Sequence, residues 1–198
     1  MSASIGQAGS APAGQTVTLT GVNSGDPLLF FSEGSLSVPS DTFPTPYTWT
    51  NLYSLDYATF WIGTGGAGTS GTISSGGHQL CVVSVVNAIA GSGSAILDPG
   101  WSSSNTDTVS ATPTLANDLA LFYVWTQYGI LSIATSVTTS QVLSAPGYAA
   151  LSQAASNPQP VGTALDLSVV PDGGGWVVTA IVLVAGLPSA TSPIVMIV

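Results

Sequence analysis

The chain has 198 residues, nine of them acidic and none Lys or Arg, for a formal charge of −9. Nucleic-acid binding and adsorption to an anionic membrane both need cationic side chains, so neither partner is expected, and a P-loop is impossible without its Lys. A single cysteine excludes an internal disulfide framework and a cysteine-rich zinc site, and 45% apolar residues with a mean hydropathy of +0.49 argue for a packed core rather than disorder.

Along the chain, Met1 to Gly14 reads as a flexible N-terminal arm. Its opening lacks the basic and apolar regions of a secretory leader, which leaves either a cytoplasmic protein or a leader outside this chain. Gln15 to Val22 alternates, with Val17 and Leu19 on one face and Thr16, Thr18 and Thr20 on the other, as a half-buried strand does. Pro27 to Ser32, Tyr47 to Tyr53, Ala58 to Gly63 and Gly71 to Ser74 follow as strands. Gln79 to Ala88 is almost wholly apolar, the pattern of a strand covered on both faces. Asp98-Pro99-Gly100-Trp101 reads as a loop. Thr106 to Ala111, Asp118 to Gln127 and Ile130 to Thr138 are strands, and Tyr148 to Ala155 is a weak helix or turn candidate. Ala164 to Val170 and Gly175 to Val184 complete the set. The apolar run from Trp176 to Leu187 is too short for a bilayer span of about 20 residues and reads as a buried strand. The apolar end, Pro193 to Val198, is expected to dock on a surface.

About ten or eleven short strands separated by Gly, Pro, Ser and Asn indicate an all-β, two-sheet antiparallel β-sandwich, jelly-roll-like, with little or no helix. The expected division is an arm at 1–14, one sandwich domain at 15–187 and a docking segment at 188–198. There is one internal echo: Gly25-Asp26-Pro27-Leu28-Leu29-Phe30-Phe31 resembles Asn117-Asp118-Leu119-Ala120-Leu121-Phe122-Tyr123. Recurrent Asp turns before buried strands explain it, and so would two related halves.

The order of a Thr/Val strand (Thr16 to Thr20), a Gly-Asp-apolar run at Gly25, a Tyr-Thr-Trp-Thr strand (Tyr47 to Thr50), an apolar strand (Leu80 to Ala88), Ala116 to Leu121 and a closing Trp strand (Gly175 to Val178) resembles a jelly-roll-like β-sandwich module of phage virion proteins and bacterial surface proteins. The resemblance spans residues 15 to 185, rests on strand and turn patterns, brings no catalytic residues, and implies binding or assembly.

Residues able to carry chemistry are few. Gly63 to Gly68 matches G-x-G-x-x-G, but the Gly/Ser/Thr run after it cannot form the helix that a dinucleotide site needs, so it reads as an inter-strand loop. His78 reads as a loop histidine and Cys81 as a core residue, since no cation is present to activate a thiol. The acids are scattered, and Asp172 in Pro171-Asp172-Gly173 is the best local Ca²⁺ candidate, with turn formation the default. No catalytic residue, metal or cofactor is expected. Trp101 is the one aromatic set apart from apolar neighbours, and reads as an interface anchor or a sugar-stacking platform, or as a side chain buried where its loop folds back.

Lys on edge strands is a common guard against strand pairing, and this chain has none. It reads as a non-enzymatic subunit covered by neighbours. The leading expectation is a capsid decoration or tail accessory protein in a virion, assembling with itself, possibly as a trimer, and with other particle proteins. Ile194, Val195, Met196, Ile197, Val198 and Trp101 are the expected interface residues. The alternatives are an extracellular filament or surface-layer subunit built by donor-strand addition, and a carbohydrate-binding module.

Overall fold

A computed structural model describes residues 1–33, 37–55, 58–76, 79–102, 107–114, 118–126, 129–145, 149–154, 160–173 and 175–187, with the backbone alone described at 55, 90–102, 131, 144–145, 149–150 and 175–176. The first half contains β1 (Ser4–Ala11), β2 (Thr16–Thr20), β3 (Leu28–Glu33), β4 (Ser40–Asp41), β5 (Thr48–Leu55), β6 (Ala58–Thr64), β7 (Ser70–Ser74) and β8 (Leu80–Val86). The second contains β9 (Ala88–Ser102), β10 (Asp107–Ala111), β11 (Leu119–Thr126), β12 (Gly129–Thr135), β13 (Thr139–Ala145), β14 (Ala149–Ala154), β15 (Leu165–Asp172) and β16 (Gly175–Gly186).

The antiparallel β-sandwich expected from the sequence forms, and it forms twice. The first half makes a five-stranded sheet ordered β1-β8-β3-β6-β5 and a three-stranded sheet ordered β2-β7-β4. The second makes β9-β16-β11-β14-β13 and β10-β15-β12. Adding eight to each strand number of the first half reproduces the second half in full. Each half is thus an eight-stranded, jelly-roll-like sandwich, in which the chain crosses repeatedly between two sheets. Among the described residues, sixteen strands replace the expected ten or eleven because the small-residue stretches at 4–11, 88–102, 139–145 and 149–154, which carry little β signature, also pair, as does the two-residue strand at 40–41.

The two halves pack through their five-stranded sheets, giving four layers of three, five, five and three strands. One core lies within the first half (Val17, Leu19, Phe30, Trp61, Ile73, Val82), and another within the second (Val109, Phe122, Leu165, Leu167, Ile181). A third, between the halves, takes Leu29, Phe31, Phe60 and Val83 from one side and Leu121, Tyr123, Leu151 and Val182 from the other. Antiparallel sheets commonly leave one face wet and then alternate in sequence. Here the central strands β3, β8, β11 and β16 are covered on both faces. That is why they read as continuous apolar runs: β11 is buried at all eight positions.

The registers superpose residue by residue. Leu29, Phe30 and Phe31 pair with Val83, Val82 and Cys81, and Leu121, Phe122 and Tyr123 pair with Val182, Ile181 and Ala180. Phe31 and Tyr123 are therefore equivalent, and their rings stack on each other across the interface, with centroids 5.1 Å apart and planes at 21°. The strand β1 lies along β13 and β5 along β9, the reciprocal contacts of an approximate two-fold. The echo at residues 25–31 and 117–123 is the trace of this repeat. Asn87 alone joins the halves, with φ 58°, a left-handed conformation in which Asn is enriched.

Three local expectations are corrected. The arm at 1–14 contains β1, paired with β8. Ala3 is fully buried in the central core, and the Met1 ammonium donates to the Leu187 carbonyl at 2.6 Å. Its small residues, which suggest a linker, permit close approach instead: a Cβ on Gly9 would lie 2.5 Å from Val17 Cγ1. The helix or turn candidate at 148–155 contains β14, held between β11 and β13 with Leu151 fully buried. The loop at 98–101 is part of β9, whose place at a sheet edge tolerates Pro99.

Candidate functional site

The two halves differ most at one corner, where β4, β5 and β6, or their counterparts β12, β13 and β14, meet. In the first half, Asp41 organises the corner. Its carboxylate accepts from Phe43 N at 3.2 Å, Tyr47 N at 3.1 Å and Trp49 Nε1 at 3.0 Å. Tyr47 packs against Phe43 and Trp49, and Trp49 against Phe30, with centroids 5.1–6.0 Å apart. The glycines opposite leave room: a Cβ on Gly66 would lie 2.3 Å from the Tyr47 ring, and one on Gly71 would lie 2.4 Å from Phe43. Burial, and then the charges of Asp26 and Asp41, push the Tyr47 hydroxyl up to about 12. That hydroxyl donates to the Asp26 carbonyl at 3.2 Å. The corner is a plug, filled by the side chains of its own loop.

The registers identify each counterpart. Asp41 pairs with Ile73 as Thr135 pairs with Leu167. Trp49 pairs with Gly63 as Thr139 pairs with Ala154, and Asn51 with Trp61 as Gln141 with Ser152. Two tryptophans thus give way to Thr139 and Ser152. Eight positions separate Asp41 from Trp49, but only four separate Thr135 from Thr139, so the segment carrying Phe43 and Tyr47 has no counterpart. The result is an open cleft of about 310 Å³ lined by Ile133, Thr135, Thr139, Gln141, Leu151 and Ser152. None of these side chains is charged. Thr135 donates its hydroxyl to the Val137 carbonyl at 2.7 Å.

The chain matches no family model, no curated protein and no solved structure.

The outer three-stranded sheets form a second distinctive surface. On β2-β7-β4, Thr16, Thr18 and Thr20 face Ser74, Thr72 and Ser70 across the strands. Ser40 and Ser74 share a hydrogen bond at 2.7 Å, and Thr42 and Thr72 one at 2.9 Å. On the opposite outer sheet, Thr108 and Ser168 share one at 2.8 Å, and Ser110 donates to the Asp166 carboxylate. The molecule therefore presents ladders of short hydroxyls on both outer sheets.

The other sequence candidates fall as follows. Gly63 to Gly68 begins at the end of β6 and runs through the β6–β7 connection, with Gly65 and Gly68 at φ 74° and 119°, an inter-strand loop as read from the sequence. Cys81 is buried in the central core, where burial pushes its thiol up to about 12. Asp172 ends β15, and no group of three or more His, Cys, Asp or Glu is placed to hold a metal among the described residues. The backbone of Trp101 pairs with Trp176 in β9 and β16, and its side chain lies outside the described structure. His78 and the expected docking residues Ile194, Val195, Met196, Ile197 and Val198 also lie outside it. Sequence reasoning missed the corner cleft, because Thr139 and Ser152 gain meaning only against Trp49 and Trp61 of the other half.

Proposed function

We propose that the chain is a structural, non-enzymatic subunit of a virus or phage particle, a capsid decoration or tail accessory protein that assembles with copies of itself and with other particle proteins. The observation that carries this reading is the pair of hydroxyl-ladder outer faces on a duplicated jelly-roll-like scaffold. Apart from the Asp166 carboxylate on one of them, these faces carry short Ser and Thr side chains, which a neighbour can cover with little loss of side-chain entropy. Viral capsid proteins are among the recurrent users of eight-stranded jelly rolls, which is support by fold analogy.

Light scattering after size exclusion, with negative-stain images of each peak, tests the reading. A discrete small oligomer, with a trimer the first expectation, supports it. A monomer over the whole accessible concentration range overturns it. Long polymers select the second reading, an extracellular filament or surface-layer subunit. That alternative is favoured by β1, β5 and β13, edge strands that carry no charged residue to oppose strand addition.

A further inference from the structure

We propose that the corner cleft of the second half is a binding site for a neutral saccharide, one sugar ring deep. The argument starts from the repeat. Both halves build the same corner from the same strands, and the first half fills it with Tyr47, Trp49 and Trp61. The second half keeps the strands and removes the filling, through Thr139, Ser152 and a connection four residues shorter. A jelly-roll corner therefore folds around a solid plug in one copy, and the other copy holds a cleft of about 310 Å³ in its place. That volume is at the small end of ligand pockets, which run from about 300 to 1,000 Å³.

The lining sets the ligand class. The side chains of Thr139, Gln141 and Ser152 make no protein hydrogen bond among the described residues, so their hydroxyls and amide are free to serve a guest. Together they offer donors and acceptors of both kinds, as a ring of neighbouring hydroxyl groups requires. Ile133, 43% exposed, supplies apolar surface for the C–H face of a sugar ring. Among the described residues, no cation lines the cleft to hold a carboxylate or phosphate, and no carboxylate lines it to hold an ammonium. A purely apolar guest would strand the Gln141 amide. What remains is a neutral polyhydroxylated ring. The site is separate from the hydroxyl-ladder faces and does not rest on the assembly reading.

The test uses the full-length protein. Methyl glycosides of glucose, galactose, mannose and N-acetylglucosamine are titrated by calorimetry and by saturation-transfer NMR. At least one is expected to saturate a single site with a Kd of about 1 mM, the strength of a few neutral hydrogen bonds and one small apolar face. Ser152→Trp, which restores the residue at the equivalent place in the first half, is expected to abolish binding with the fold and the oligomer size unchanged. Gln141→Ala is expected to weaken it about tenfold, and it guards against a folding failure of the bulkier variant. No saturation by any of the four up to about 50 mM would overturn the proposal. So would affinity unchanged in both variants.

Discussion

The first half closes its corner and the second leaves it open, although one strand plan builds both. In the first, Asp41 gathers two backbone N–H groups and an indole N–H, and three aromatic rings pack beneath them. In the second, Thr135 holds a single carbonyl, and the space stays empty. The comparison separates what the scaffold requires from what each copy adds. The central layer is required, because both halves bury the same positions there: Phe31 and Tyr123 face each other, and Val83 and Val182 sit at matched registers. The corner is not required, so it is free to become a plug in one copy and a cleft in the other.

The sharpest way to break the comparison is at the shared centre. Phe31→Ala or Tyr123→Ala removes a ring that touches both halves, and each is expected to cost about 3–5 kcal/mol. Because Phe60 packs edge-on against both rings, at 5.3 and 5.5 Å, neither half can absorb the loss alone. Urea unfolding followed by Trp fluorescence and circular dichroism should still show one coincident transition. Two separated transitions would mean that the halves are energetically independent.

At the corners the expected effects are smaller and unequal. Asp41→Ala leaves Phe43 N, Tyr47 N and Trp49 Nε1 without their acceptor, and should cost about 2–4 kcal/mol. Its counterpart Thr135→Ala loses one bond at the rim of an open cleft, and should cost about 1 kcal/mol. Equal costs, measured by thermal or urea denaturation, would show that the plug is not a rigid element. Gly66→Ala presses a methyl group into the Tyr47 ring, and should cost about 1–3 kcal/mol.

Alkaline titration distinguishes the layers. Cys81 in the central core and Tyr47 in the plug both have their ionisation pushed up to about 12 by burial, and burial also raises Tyr123 well above the ordinary tyrosine value. Between the unfolded and folded values the native state keeps protons that the unfolded chain releases. Stability is therefore full below about pH 9 and falls as the pH rises towards 12, by at most about 1.4 kcal/mol per pH unit for each group. Cys81→Val should flatten the first part of that decline, between about pH 9 and 10, before the tyrosines contribute. An unchanged slope would show that the thiol is not protected in the folded state.

The smallest effect on stability is expected on the outer face. Thr18→Lys changes an exposed hydroxyl and should move stability by less than about 0.5 kcal/mol. It also places a charge in the middle of the hydroxyl ladder, and should dissociate the assembly in light scattering. Assembly that survives this change would move the interface elsewhere on the molecule.

Composition and local pattern were enough to define the material of this protein. Lacking Lys and Arg, it must solvate its surface with Ser and Thr, and the alternation at Thr16 to Thr20 marked one hydroxyl face directly. The apolar runs at β3, β8, β11 and β16 announced strands covered on both sides, because two buried faces erase the period of two. Tertiary structure alone decided that the coverage comes from a second copy of the same sandwich. The two halves keep the register of buried faces but share few residue identities, since a buried position constrains size and polarity more than the residue itself. It also decided that the small-residue stretches at 4–11, 88–102, 139–145 and 149–154 are strands, because small residues pair at a sheet edge or under a neighbouring layer only when that layer is present. The open corner belongs to the same class: a missing tryptophan carries no signal until the strand that holds its counterpart is aligned with it.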